Sequence, residues 1–108
     1  MTVYELSQSS QFNILSLPEP EREINGAYIG DLLSWVMGRA QCDNVWITIM
    51  SNINVVAVAS LSDVSCILLA DNVTLDPDVL NTAKEKGINI LSTSLTAYEA
   101  AVKISGMI

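Results

Sequence analysis

The stretch "NVWITIMSNINVVAVASLSDVSCILLA", residues 44–70, decides the fold. It runs apolar to Met50, breaks at Ser51, Asn52 and Asn54, turns apolar again from Val55, and after Ser62-Asp63 becomes apolar a third time at Val64. The outer runs show no polar alternation, which suits strands of a parallel sheet covered on both faces. With a helix between them they form a right-handed βαβ unit.

Working outward, the same unit recurs four times. "INGAYIG" (24–30) precedes the helix "DLLSWVMGRAQ" (31–41), "VSCILLA" (64–70) precedes "PDVLNTAKEKG" (77–87), and "INILST" (88–93) precedes "LTAYEAAVKIS" (95–105). Asp76 before Pro77 reads as an N-cap followed by proline at the first helical position, and Gly87 closes that helix after Lys84 and Lys86. Thr96 with Glu99 has capping-box spacing, with Ser94 as the alternative cap. Upstream, Thr2 and Glu5 repeat that spacing, with Val3 and Leu6 on one side of a short helix. "FNILSL" (12–17) reads as a brief strand, and "LPEPERE" (17–23) as a solvated connection. The expectation is an α/β fold, a three-layer α/β/α sandwich with a mostly parallel sheet.

At 108 residues the chain is read as one domain, 1–108. Half of it is apolar and 16% is charged, which excludes a disordered chain. Twelve acidic residues against five basic ones give a charge of −7, which repels nucleic-acid backbones. The longest apolar runs fall far short of the roughly 20 residues that span a bilayer. The expected setting is therefore soluble and cytoplasmic, with neither nucleic acid nor membrane as a partner. Cys42 and Cys66 are read as free thiols.

The chain contains no histidine. That removes Ser-His-Asp and Cys-His pairs, an imidazole base near neutral pH, and most metal sites. Neither G-x-G-x-x-G nor G-x-x-x-x-G-K-[ST] occurs, and Lys84, Lys86 and Lys103 fall in or near the last turns of helices. The reading is non-enzymatic, with no metal and an unknown cofactor.

In parallel sheets, ligands bind outside the carboxyl ends of the strands, at loops leading to helix N-termini. That rule collects Asp31, Ser51, Asn52, Asn54, Asp71, Asn72 and Thr93 as candidate ligand-binding residues. Amides and hydroxyls there can hydrogen-bond a small polar ligand. The alternative is that Asn52 or Asn54 caps the helix that follows, Ser51 satisfies a turn, and Asp31 and Asp71 are helix caps. In "DLLSWVMGRA", Trp35, Leu32, Val36, Leu33 and Met37 cover an arc of about 200°, about twice what one core requires. Either Trp35 and Met37 face another chain, or the N-terminal helix or "FNILSL" covers the surplus.

"GAYIGDLLSWVMGRA", "WITIMSNINVVAVASLSDVSCILLAD" and "GINILSTSLTAYEAA" resemble the small stand-alone DRTGG-domain proteins over about residues 22–104. That domain is similar in fold to the N-terminal, non-catalytic domain of HPr kinase/phosphorylase and occurs beside CBS pairs. The resemblance implies a regulatory or ligand-sensing module, often dimeric. Where the wider family carries an Asp-Arg pair after one strand, this chain has Ser51-Asn52. Where the family carries Thr-Gly-Gly after the next, it has Ala70-Asp71-Asn72. Losing an arginine and two glycines weakens any inherited anion site. The functional expectation is a regulatory domain, a homodimer responsive to a small molecule such as a nucleotide or metabolite. The alternative is a protein-interaction module in bacterial signalling, similar in size and acidity to the small antagonists of anti-sigma kinases.

Overall fold

The strand ladder shows how the repeated units assemble. The computed structural model describes residues 1–108, with the elements α1 (Val3–Ser7), β1 (Phe12–Ser16), β2 (Gly26–Ile29), α2 (Leu33–Arg39), β3 (Asn44–Thr48), α3 (Asn54–Ser62), β4 (Cys66–Leu69), α4 (Pro77–Glu85), β5 (Ile90–Thr93) and α5 (Ala97–Ser105). The sheet order is β1-β5-β4-β3-β2. Strands β2 to β5 are parallel, and β1 runs antiparallel along β5 with a bulge between Ile14 and Ser16.

Successive residues of each strand feed opposite faces. Val45, Ile47, Cys66, Leu68 and Leu91 pack with Val3 and Leu6 of α1 and Ala100 and Ile104 of α5. Trp46, Ile67, Leu69 and Ile90 pack with Val36 of α2, Val55, Val56 and Ala59 of α3, and Val79 and Ala83 of α4. These are the three expected layers. The parallel strands advance in one direction, each beside its predecessor, so right-handed crossovers place α2, α3 and α4 on the same face.

The expectation of cover on both faces holds for β3 and β4, every residue of which is buried, but not for β2. There Ala27 and Ile29 are exposed while Tyr28 packs beneath the α2–α4 layer. Only α1 and α5 serve the other face, and neither caps the β2 edge.

Both capping boxes form as expected. The Thr2 and Thr96 hydroxyls accept from the Glu5 and Glu99 amides, and the two carboxylates accept from the Thr2 and Thr96 amides. Asp76 stands at the N-cap of α4, although its side chain makes no capping bond. Gly87 follows that helix at φ +73°, a conformation that glycine adopts without strain.

"LPEPERE" is more than a wet loop. The Arg22 guanidinium donates to Asp43 Oδ1 at 2.6 Å, to Asp63 Oδ1 at 2.9 Å and to the Asp63 carbonyl at 2.8 Å. The Cys42 thiol donates to Asp63 Oδ2 at 3.2 Å. That thiol, followed by Arg22, holds the Asp63 carboxyl below its ordinary range. Asp43 and Asp63 both have positive φ, at 66° and 54°, in the turns before β3 and after α3. The clamp therefore binds the amino-terminal end of the sheet.

Candidate functional site

At the carboxyl-terminal end, the β2–α2 turn is fastened sideways to β3. Trp46 Nε1 donates to the Gly30 carbonyl at 2.8 Å. Asp31 Oδ1 accepts from the Thr48 hydroxyl at 2.8 Å and from the Ile49 amide at 3.0 Å, while Thr48 Oγ1 accepts from the Met50 amide at 3.1 Å. Asp31 is therefore not the cap of α2. That position belongs to Leu32, whose side chain offers no bond. The carboxylate is drawn away because two donors emerge together where β3 ends.

Asp71 is not a cap either. It precedes α4 by a loop that ends at Asp76, and its amide donates to the Leu95 carbonyl at 2.8 Å. The Asn72 amide donates to the Thr93 carbonyl at 2.9 Å. Thr93 is 1% exposed, and its hydroxyl oxygen accepts from the Leu95 amide at 3.1 Å. It braces the β5–α5 turn from inside instead of facing solvent. Neither asparagine offered as a cap for α3 stands at its N-cap, which is Ile53 and has no side-chain cap bond; Asn52 Oδ1 instead accepts from the Asn54 amide at 2.9 Å, closing the turn just before the helix. The Asn52 Nδ2 group remains a donor, and Asn54 is exposed in the first turn.

The seven candidates fall into two groups. Asp31, Ser51, Asn52 and Asn54 gather at the ends of β2 and β3, and Asp71, Asn72 and Thr93 at the ends of β4 and β5. Two strand spacings, about 9.6 Å, separate β2 from β4, so Asp31 and Asp71 do not form a carboxylate pair. No group of three or more His, Cys, Asp or Glu side chains gathers at metal-binding distance.

The rule that collected these loops needs one further condition. A crevice opens where neighbouring connections leave toward opposite faces; α2, α3 and α4 all lie on one face, so none opens between β2, β3 and β4, and only β5 leaves for the other face, into α5. The depression at this end instead lies where the advance stops, beside β5 and the antiparallel β1. It measures about 200 Å³ and is lined by Leu15, Asn72, Val73, Thr74, Leu80 and Ser92 among others. Asn72 alone belongs to the expected set. Leu15 and Leu80 were not legible as site residues, because the sequence does not say which strand lies beside β5. The long Asp71–Asp76 connection, with Val73 and Leu75 among its polar residues, was the available signal.

None of the five cations serves this rim. Arg22 is engaged at the opposite end, and Arg39 stacks 4.0 Å over the Trp35 ring in the last turn of α2. Lys84 and Lys86 lie at the C-terminal end of α4. Lys103 Nζ is held by the Ser10 carbonyl and hydroxyl and by Gln11 Oε1, at 2.7, 3.1 and 3.1 Å. The rim thus presents amides, hydroxyls and carboxylates.

Trp35 and Met37 are 55% and 51% exposed. The N-terminal helix does not cover them, since α1 lies on the other face of the sheet. At about 100° per residue they point some 160° apart around α2, so one flat partner cannot cover both.

A family model described as "DRTGG domain" matches residues 28–107. Among solved structures, the chain is similar to the CBS and DRTGG domains of the regulatory region of Clostridium perfringens pyrophosphatase, complexed with the activator diadenosine tetraphosphate. The TM-score is 0.63 at 14% identity, over 84% of this chain and 40% of that one. The chain thus spans two fifths of that structure, and the likeness at this identity is one of fold. No curated protein matches the chain. Asp71 and Asn72, which stand where the resemblance puts the family's two glycines, have φ of 56° and 63°. Glycine takes this conformation freely, and Asp and Asn are the side chains that tolerate it best. Matched over residues 28–107, the chain belongs to the DRTGG domain family.

Proposed function

We propose that this chain is a non-enzymatic regulatory domain, cytoplasmic and dimeric, that senses a small polar ligand at the carboxyl end of its sheet. The observation that carries the reading is the Asn72-lined depression beside β5, at a rim of amides, hydroxyls and carboxylates. The solved DRTGG-containing structure, a regulatory region complexed with an activator, supports a regulatory role. The lack of histidine argues against acid–base or nucleophilic catalysis. The two unpaired thiols fit a reducing compartment.

The chemistry of the rim narrows the ligand class. With Asp31 and Asp71 exposed and no cation in reach, a bare polyphosphate would be repelled. A nucleoside, a neutral metabolite or a cationic one meets matching groups. Asn72 and Ser92 then make the direct contacts, Asp71 flanks them, and Ser51, Asn52 and Asn54 border the neighbouring loop. Asp31 and Thr93 hold those loops in place.

A thermal-shift series against nucleosides, nucleotides, dinucleoside polyphosphates and central metabolites tests this, because a ligand that binds only the folded state raises the melting temperature. The expected result is a dose-dependent rise with an uncharged or cationic ligand, reduced in Asn72→Gly, which removes the amide without straining the backbone. A flat series overturns the sensing role. It favours the second reading, a protein-interaction module, for which the half-exposed Leu32 and Trp35 speak.

A further inference from the structure

The two edges of the sheet are built differently. Strand β1 carries a bulge and runs into Pro18, features that discourage a further strand. Strand β2 has no bulge, proline or charged side chain from Asn25 to Gly30 and pairs only with β3. The Gly30 amide donates to the Ile47 carbonyl, so Tyr28 and Gly30 turn their backbone groups toward β3. By alternation Ala27 and Ile29 turn theirs outward, and both are exposed.

Beside this edge lies an uncovered apolar flank. On α2, Leu33 and Ala40 pack into the core on one side of the fully buried Val36. Leu32, 60% exposed, and the exposed Arg39 sit at comparable angles on the other side, with Trp35 beyond them. Since α3 adjoins α2 toward the sheet centre, this flank overhangs the free edge of β2. On the opposite face, Ile29 and Ile49 are 50% and 45% exposed at the uncovered ends of β2 and β3. Together these residues show on the order of 400 Å² of apolar surface, close to the apolar share of a standard interface of about 800 Å² per partner.

We infer that the β2 edge pairs antiparallel with β2 of a second copy about a twofold axis through Tyr28, joining the two sheets. In that register Ala27 of each chain exchanges two backbone bonds with Ile29 of the other, giving four in all. The two Tyr28 side chains meet beneath α2. Asp31 falls opposite Asn25 of the second copy, so two acidic chains meet without facing carboxylates across the strand pair. The Leu32–Trp35 overhangs close over the junction. This inference rests on the dimeric reading proposed above and specifies its surface.

Sedimentation equilibrium of the full chain across the micromolar range tests it, with circular dichroism confirming that each variant folds. The wild type is expected to be a dimer. Ile29→Lys, which places a charge at an already half-exposed position, and Trp35→Glu should each weaken dimerisation by at least about 30-fold, whereas Met37→Glu should leave it intact. A monomeric wild type overturns the dimeric reading and this surface with it. A wild-type dimer that survives both Ile29→Lys and Trp35→Glu overturns the β2 edge alone.

Discussion

Replacing Asp31 by Ala removes the carboxylate, whose Oδ1 joins the β2–α2 turn to the end of β3. Two donors lose their acceptor, but unequally. The Ile49 amide lies at the surface and can turn to water, whereas the Thr48 hydroxyl belongs to a residue that is 1% exposed and cannot. A hydrogen bond to a charged group contributes about 1.5–3 kcal/mol, and the exposed Asp31 belongs at the lower end. The expected loss is about 2 kcal/mol, or roughly 8–15 °C in melting temperature for a domain of this size. Asp31→Asn keeps an oxygen in the same place and should retain most of the stability. In a urea double-mutant cycle with Thr48→Val, the coupling energy should exceed about 0.5 kcal/mol. A melting temperature for Asp31→Ala within about 2 °C of wild type, with zero coupling, would refute this role for Asp31.

Acid should unfold the protein through Glu5, Asp63 and Glu99, whose carboxyls lie below their ordinary range. Glu5 and Glu99 are held there by the amides and hydroxyls of Thr2 and Thr96, and Asp63 by the Cys42 thiol and then Arg22. A depressed folded-state pKa gives stability that is complete above the unfolded value, near 4, and lost as the pH falls through the folded one. Melting temperatures should hold from pH 7 to about 5 and decline below about 4; a decline already at pH 6 would contradict this. Burial pushes the Cys66 thiol up to about 12, so a disulfide reagent at pH 8 should label Cys42 alone until the chain is unfolded. Labelling of Cys42 should be slow, because its proton is donated to Asp63, and faster in Asp63→Asn. At φ 63°, Asn72→Ala should cost about 1 kcal/mol in urea unfolding and Asn72→Gly close to nothing; equal losses would show that the backbone there is unstrained. Arg22→Ala should destabilise by about 1–2 kcal/mol, since its guanidinium is largely covered although Asp63 is 63% exposed.

The elements were legible because local rules set them. Unbroken apolar runs marked β3 and β4, and the Thr2/Glu5 and Thr96/Glu99 spacings marked α1 and α5. The errors came where a side chain chose a distant partner over a local one. Asp31 prefers two donors on β3 to the adjacent helix, and Arg22 reaches turns 21 and 41 residues away, pairings that no local spacing announces. The candidate loops were found because the carboxyl ends of parallel strands follow from the βαβ pattern. Which of them borders a depression depends on strand order, and strand order depends on where β1 docks. Asn72 was therefore readable as a candidate, while its neighbours Leu15 and Leu80 were not.

The unidirectional advance from β2 to β5 also bears on how the chain assembles as it is synthesised. Each parallel strand finds its neighbour one unit away in sequence, so the sheet can grow in the order in which it emerges. Strand β1 is the exception: it is made before all of them, and its only partner is the last strand made. Until residues 90–93 are available, Phe12 has no ladder to join, and the face that Val3 and Leu6 cover has no α5. The antiparallel β1–β5 pair, secured by Lys103 on Ser10 and Gln11, is therefore the long-range pairing whose second strand is made last. It completes the wall of the Asn72 depression as well, so the candidate site comes into being only when the two ends of the fold meet.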